Sequence, residues 1–229
     1  MSERGIFIAI EGGDGSGKAT QAEILRQFMS EKLGKHVMKV SFPRYGEDSA
    51  YYAAEYLNGA YGSADSVSGD LASLAYAVDR YAASGDIKEC LDNNGFVIAD
   101  RYVASNLAHQ GTKFQDKNER AAFYERMRNT EYGILGIPRP DKNIVLIMPT
   151  DHAQSNVDKK ATRSYTSKKR DIHEADASHL DRAKSNYEEL CDIYPDEFTP
   201  IKCTDEKGNM RTIEDIQREI QAVVAVDNR

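Results

Sequence analysis

The chain has 229 residues, 40% of them hydrophobic and 29% charged, enough apolar material to bury a core in a soluble α/β domain. Its net charge of −7 argues against general nucleic-acid affinity, and no apolar run approaches the ~20 residues that a membrane span needs. Cys90, Cys191 and Cys203 show no metal-like spacing, and the start from Met1 to Gly5 lacks the parts of a signal peptide; a cytoplasmic protein with reduced, buried thiols is expected.

Ile6 to Glu11 is a short apolar run ending at a glycine cluster and reads as a buried strand. Thr20 to Leu33 carries apolar residues at helical spacing and is stopped by Gly34. His36 to Phe42 reads as a second strand, closed by Pro43. Tyr51 to Leu57 and Asp70 to Leu91 read as helices on either side of a Gly/Ser/Asp stretch. The turn signal Asn93-Asn94-Gly95 introduces a third strand, Phe96 to Asp100. A helix is expected over Glu119 to Tyr132, a strand over Asn143 to Met148, a helix over Leu180 to Tyr194, a fifth strand over Phe198 to Cys203 and a closing helix over Thr212 to Val224. Such alternation predicts a mostly parallel sheet with helices on both faces, its ligands beyond the carboxyl ends of the strands. With no internal repeat and no long linker, a single domain over residues 1–229 is expected.

Gly12-Gly13-Asp14-Gly15-Ser16-Gly17-Lys18 fits G-x-x-x-x-G-K between the first strand and the first helix. Glycines let the backbone wrap so that its N–H groups point at phosphates, the helix N-terminus adds its positive end, and Lys18 adds a full charge. The next position usually supplies a metal-ligating hydroxyl, yet here it is Ala19; Thr20 follows about a quarter-turn away. Either another oxygen takes the metal, with Asp14 a candidate, or the protein is a catalytically inactive nucleotide-binding regulator; Asp14 could equally be a turn former.

Cations gather at the strand ends. Arg44, in Phe42-Pro43-Arg44-Tyr45-Gly46, closes the second strand and could reach an acceptor phosphate or simply sit at the surface. Tyr76, Asp79 and Arg80 share one helix face, an arrangement suited either to stacking on and reading a base or to a core edge. Asp100-Arg101-Tyr102 closes the third strand, where an Asp can orient a metal-bound water and an Arg can hold a transferring phosphoryl group. Lys159, Lys160, Arg163, Lys168, Lys169 and Arg170 crowd a stretch poor in large apolar residues, readable as a lid over roughly 155–176 or as a solvated loop. No guanine-reading Asn-Lys-x-Asp sequence is present, which argues against a switch GTPase.

Glu11 to Gln21 (EGGDGSGKATQ), Phe42 to Gly46 (FPRYG), Asp79-Arg80, Asp100 to Asn106 (DRYVASN) and Gly136 to Asp141 (GIPRPD) together resemble thymidylate kinases, in that family's order and spacing. The segment Asp171-Ile172-His173-Glu174 is similar to lid sequences of bacterial members. The resemblance implies a P-loop NTPase with a nucleoside monophosphate kinase-like fold: a five-stranded parallel sheet flanked by helices, with a short lid. It implies transfer of phosphate from ATP to dTMP with Mg²⁺, in a homodimer packed through helices. On this likeness Gly12, Gly13, Gly15, Ser16, Gly17, Lys18, Ala19 and Thr20 would hold ATP, with Arg163 and Arg170 as lid cations. Phe42 and Tyr76 would sandwich thymine, Arg80 would read its edge, Arg44 and Arg101 would hold the dTMP phosphate, and Tyr45 would be a further substrate-binding residue. Asn106, His109 and Gln110 would line the nucleoside pocket, and Asp14, Asp100 and Glu174 would be the candidates for the metal. Two departures stand out: Ala19, and His109 where the family commonly has a Tyr that crowds a ribose 2′-hydroxyl, so discrimination against ribonucleotides or the local hydrogen bonding is expected to differ.

Overall fold

The computed structural model describes residues 4–158 and 177–226. Five strands, β1 (Ile6–Gly12), β2 (Val37–Ser41), β3 (Phe96–Asp100), β4 (Lys142–Ile147) and β5 (Phe198–Lys202), form one fully parallel sheet in the order β2-β3-β1-β4-β5. Among the described residues, eight α-helices connect and cover them: α1 (Lys18–Gln27), α2 (Tyr51–Leu57), α3 (Gly69–Asp92), α4 (Val103–Gly111), α5 (Lys117–Arg128), α6 (Thr150–Asp158), α7 (Ala177–Ile193) and α8 (Ile213–Val226). β1 is central, with β3 and β4 as neighbours. The chain leaves β1 toward one edge and crosses after β3 to the other, so the end of β1 lies where the strand order reverses, the usual ligand position of such sheets.

The two-residue period of a strand divides the core. Phe7, Ala9, Val97, Ala99 and Val145 face one cluster with Ile87, Leu107, Phe123 and Tyr187. Ile8, Ile10, Ile98, Ile144 and Leu146 face the other with Leu25, Ile216 and Ile220. Both faces of the central strand are fully buried, which is why it reads as a continuous apolar run rather than an alternating one. Each buried Phe, Ile, Leu or Val among them contributes roughly 1.5–3 kcal/mol on burial.

The ends of the helices account for most of the differences from the sequence reading. α1 begins at Lys18, two residues before the apolar periodicity does, because the phosphate-loop turn runs straight into it. Its last turn and that of α5 widen into π-turns over Phe28–Lys32 and Asn129–Ile134. Ser68 caps α3 by accepting from the Leu71 N–H at 3.2 Å, and Asp116 caps α5 by accepting from Asn118 and Glu119 at 2.8 and 3.0 Å. α4 and α6 were not expected as helices. α4 starts without a side-chain cap, directly behind Asp100-Arg101-Tyr102, and α6 opens just after Pro149 with mostly polar residues.

All three cysteines are free and buried; burial pushes the Cys203 thiol up to about 11 and Cys191 to about 12, so neither offers a thiolate at neutral pH. Among the described residues, no helix is long and apolar enough to cross a membrane.

Candidate functional site

The loop between β1 and α1 wraps as its glycines predict. Gly12, Gly15 and Gly17 all take positive φ, at 134°, 79° and 91°. At Gly15 a side chain is excluded twice over, since a Cβ would lie 2.1 Å from the Ala153 carbonyl oxygen of α6. The Lys18 ammonium is folded back to donate to the Gly13 carbonyl at 2.7 Å, inside the curl of the loop. The Ser16 hydroxyl is buried with no hydrogen-bond partner among the described residues, an orphaned polar atom within that curl. Ala19 and Thr20 both face solvent at the start of α1.

Across the loop from β1, the backbone turns sharply at Arg101. This residue has φ 69°, a left-handed conformation unusual for a non-glycine residue. Its own N–H donates to the Ile10 carbonyl at 3.0 Å. Its guanidinium donates to the Gly12 carbonyl at 3.3 Å, the Ser105 hydroxyl at 3.0 Å and the Asp14 carboxylate at 2.5 Å. Burial opposes the Arg101 charge, but Asp14, Tyr187, Asp100 and Glu11 together outweigh it and hold the pKa above the ordinary arginine value. Arg101 and Asp14 are therefore brought together at the mouth of the loop, with Asp100 one residue away at the end of β3.

A second cation lies along the strand ends. Arg44 follows a cis Phe42–Pro43 peptide, and both its backbone N–H and its Nε donate to Asp79, at 2.7 and 2.9 Å. Ser49 bridges the same pair, accepting from Arg44 and donating to Asp79 at 2.7 Å. Next along α3, Arg80 is only 3% exposed and forks onto Glu131, its Nε and Nη2 at 2.5 and 2.7 Å from the two carboxylate oxygens. Burial would lower the Arg80 pKa; the charge and hydrogen bonds of Glu131 raise it instead. Asn106 donates from Nδ2 to Glu131 and to the Ser73 carbonyl, both at 3.2 Å, while its Oδ1 is buried with no partner among the described residues. Gln110 accepts from the Tyr56 hydroxyl at 3.3 Å, and Tyr76 packs edge-on against the Tyr56 ring. Tyr45 packs against the same small cluster, and Phe42 is buried against Tyr102.

An open cleft lies between the loop and the helices beyond β4, bordered by Asp14, Ser16, Met148, Lys184, Tyr187 and His109. The His109 ring stacks near His179 of α7, with Nδ1 and Nε2 3.2 Å apart. Of the sequence-predicted residues, Arg163, Arg170 and Glu174 lie outside the described residues, and the lid segment is described only to the end of α6. Glu131 carries no local signal in the sequence; Glu11 and Ser105 fall within motifs without a role of their own, and Tyr187 reads there as part of an apolar helix face.

The hard oxygens of Asp14 and Asp100 at a phosphate-binding turn are of the type Mg²⁺ takes. Among the described residues no three carboxylate, imidazole or thiol side chains converge on a metal position.

Comparison with known proteins agrees with this geometry. The family model for thymidylate kinase matches residues 10–213. A thymidylate kinase of Mycobacterium tuberculosis is 35% identical over 188 residues, covering 81% of this chain and 85% of that protein. A probable thymidylate kinase of Pyrococcus horikoshii is 27% identical over 222 residues, covering 96% of each. Among solved structures, the thymidylate kinase of Candida albicans superposes with a TM-score of 0.70 at 21% identity, covering 100% of this chain and 94% of that one, a likeness of fold.

Proposed function

The chain belongs to the thymidylate kinase family and phosphorylates dTMP with ATP as donor, and from that premise we propose how its residues divide the reaction. Lys18, the loop backbone from Gly12 to Gly17 and the Ser16 hydroxyl hold the ATP phosphates. Arg44 and Arg101 grip the dTMP phosphate. Tyr76 and Phe42 flank thymine, and Arg80, with Nη1 left over from its fork on Glu131, reads the base edge beside Asn106. Asp14 and Asp100, with Glu174 as a further candidate, would hold Mg²⁺, which would supply charge neutralisation for the transferring group.

The observation that carries this reading is the posture of Arg101. A left-handed turn at the end of β3 aims its guanidinium at the mouth of the phosphate loop, where it is in contact with Gly12 and Asp14. Phosphoryl transfer asks the protein mainly for positioning and charge neutralisation, and a cation fixed at that place supplies both. ADP release should be measured with Mg-ATP and dTMP, dUMP, UMP, CMP, AMP or GMP. Turnover is expected to be highest with dTMP. ATP binding without turnover of any acceptor would replace this reading with that of the inactive regulator, the role Ala19 leaves open. Turnover of UMP comparable to dUMP would show that His109 relaxes sugar selection; strong rejection of UMP would show that it does not.

We also propose a homodimer. Leu71, Leu74, Val78 and Tyr81 on α3 are 61%, 44%, 46% and 55% exposed, at spacings of three, four and three residues. That is the a/d pattern of a helix seam, and a seam of this kind pairs with a second copy of itself across a two-fold axis. Val78→Arg is expected to convert a dimer to a monomer in analytical ultracentrifugation. A parent protein that sediments as a monomer would refute the dimer.

A further inference from the structure

Glu11, the last fully buried side chain before the phosphate loop, has 0% exposure and a carboxylate surrounded by donors. It accepts from the Tyr102 backbone N–H at 2.6 Å, from the Ser105 hydroxyl at 2.6 Å and from the Tyr187 hydroxyl at 3.2 Å. Ser105 in turn accepts from the Arg101 guanidinium at 3.0 Å and lies 2.9 Å from the Tyr187 hydroxyl. These contacts bracket the strained residue. Arg101 N–H is held by Ile10, the next N–H by Glu11, and the guanidinium by a hydroxyl that Glu11 itself orients. A left-handed arginine persists only where its surroundings over-determine it, and Glu11 supplies two of the determining contacts. A buried carboxylate is costly unless satisfied, so the donors that satisfy Glu11 also tie it firmly to the turn.

We propose that Glu11 and Tyr187 are positioning residues for phosphoryl transfer: with Ser105 they lock the Arg101 turn and so fix the cation that grips the acceptor phosphate. The inference rests on the reading of Arg101 given above. Glu11 acts at the turn directly, and Tyr187 ties the same turn to α7, from a side chain 1% exposed. The charges facing Glu11 are Arg101 and Lys18; burial raises its carboxyl above the usual range while Ser105, Arg101, Tyr102 and Lys18 draw it back.

Steady-state kinetics of Glu11→Gln, Tyr187→Phe, Arg101→Ala and the double variant Glu11→Gln/Arg101→Ala test this. Tyr187→Phe keeps the ring in the core and removes one hydroxyl, so it remains informative should Glu11→Gln fold poorly. Each of Glu11→Gln and Tyr187→Phe is expected to lower kcat about 10-fold and to raise KM for dTMP about 3-fold with KM for ATP unchanged. A merely structural loss of folded enzyme would lower kcat and leave both KM values alone, and that outcome overturns the inference. In the Arg101→Ala background the Glu11→Gln change is expected to add less than about 2-fold, since both act through one group. Multiplicative losses overturn the inference, as does unchanged kcat in both Glu11→Gln and Tyr187→Phe while Arg101→Ala is inactive. An Arg101→Ala enzyme with parental turnover overturns the reading of Arg101 itself, and the inference with it.

Discussion

Arg101→Gly is expected to lower kcat for dTMP by about 10²- to 10³-fold while leaving the melting temperature within about 4 °C of the parent. The two halves of this prediction come from different parts of the same residue. The side chain supplies the charge: a preorganised donor aimed at developing phosphoryl charge is worth about 10²–10³ in rate when removed. The backbone carries a penalty, since a left-handed conformation costs an L-residue roughly 1–2 kcal/mol that glycine does not incur. Against that relief stands the loss of the Arg101–Asp14 pair, whose side chains are 17% and 22% exposed. A hydrogen-bonded pair of this kind contributes on the order of 1 kcal/mol, so the two changes nearly cancel.

Arg101→Ala separates them. It loses the pair and keeps the strain, so it is expected to be as inactive as the glycine variant and about 1 kcal/mol less stable. Thermal melts beside initial-rate assays decide the matter. A glycine variant no more stable than the alanine variant would mean that φ 69° stores no strain. An active glycine variant would remove Arg101 from the chemistry.

Four of the strands were legible from short runs with punctuation at their ends: Gly12 closing β1, Pro43 after β2, Asn93-Asn94-Gly95 before β3 and Pro149 after β4. All five lie within one residue of where the sequence puts them. α4 was not legible, and the reason is physical. Its turns carry Ser105, Asn106, His109 and Gln110, polar residues that point at other side chains rather than at solvent, so the apolar stripe that marks a helix is interrupted. The loop and the strand-end cations were visible as local patterns. Their supports were not. Glu131 meets Arg80 across 51 residues and Tyr187 meets Glu11 across 176, and no local spacing encodes such meetings. Adjacent residues can even serve opposite ends of the site: Asp79 holds Arg44, while Arg80 turns to Glu131.

The Arg80–Glu131 pair carries the largest expected stability effect. Both side chains are almost wholly buried, at 3% and 1% exposure, and both guanidinium bonds are short and parallel. Glu131→Ala strands a cation in the core and leaves Asn106 Nδ2 with one partner fewer. Breaking a buried pair from one side costs about 3–5 kcal/mol, a large share of the ~5–15 kcal/mol that holds a domain together. The midpoint of denaturant unfolding is therefore expected to fall sharply, with m unchanged. Arg80→Met/Glu131→Leu removes both charges and fills similar volume, so it is expected to recover most of that loss. Recovery of stability need not bring recovery of function: without Arg80, KM for dTMP is expected to stay raised about 10-fold or more, because one charge-assisted bond to the base is gone. If the double variant is as unstable as Glu131→Ala, packing rather than charge explains the site. If it is stable and binds dTMP as the parent does, Arg80 is there for the fold alone, and recognition of the base falls to Asn106 and its neighbours.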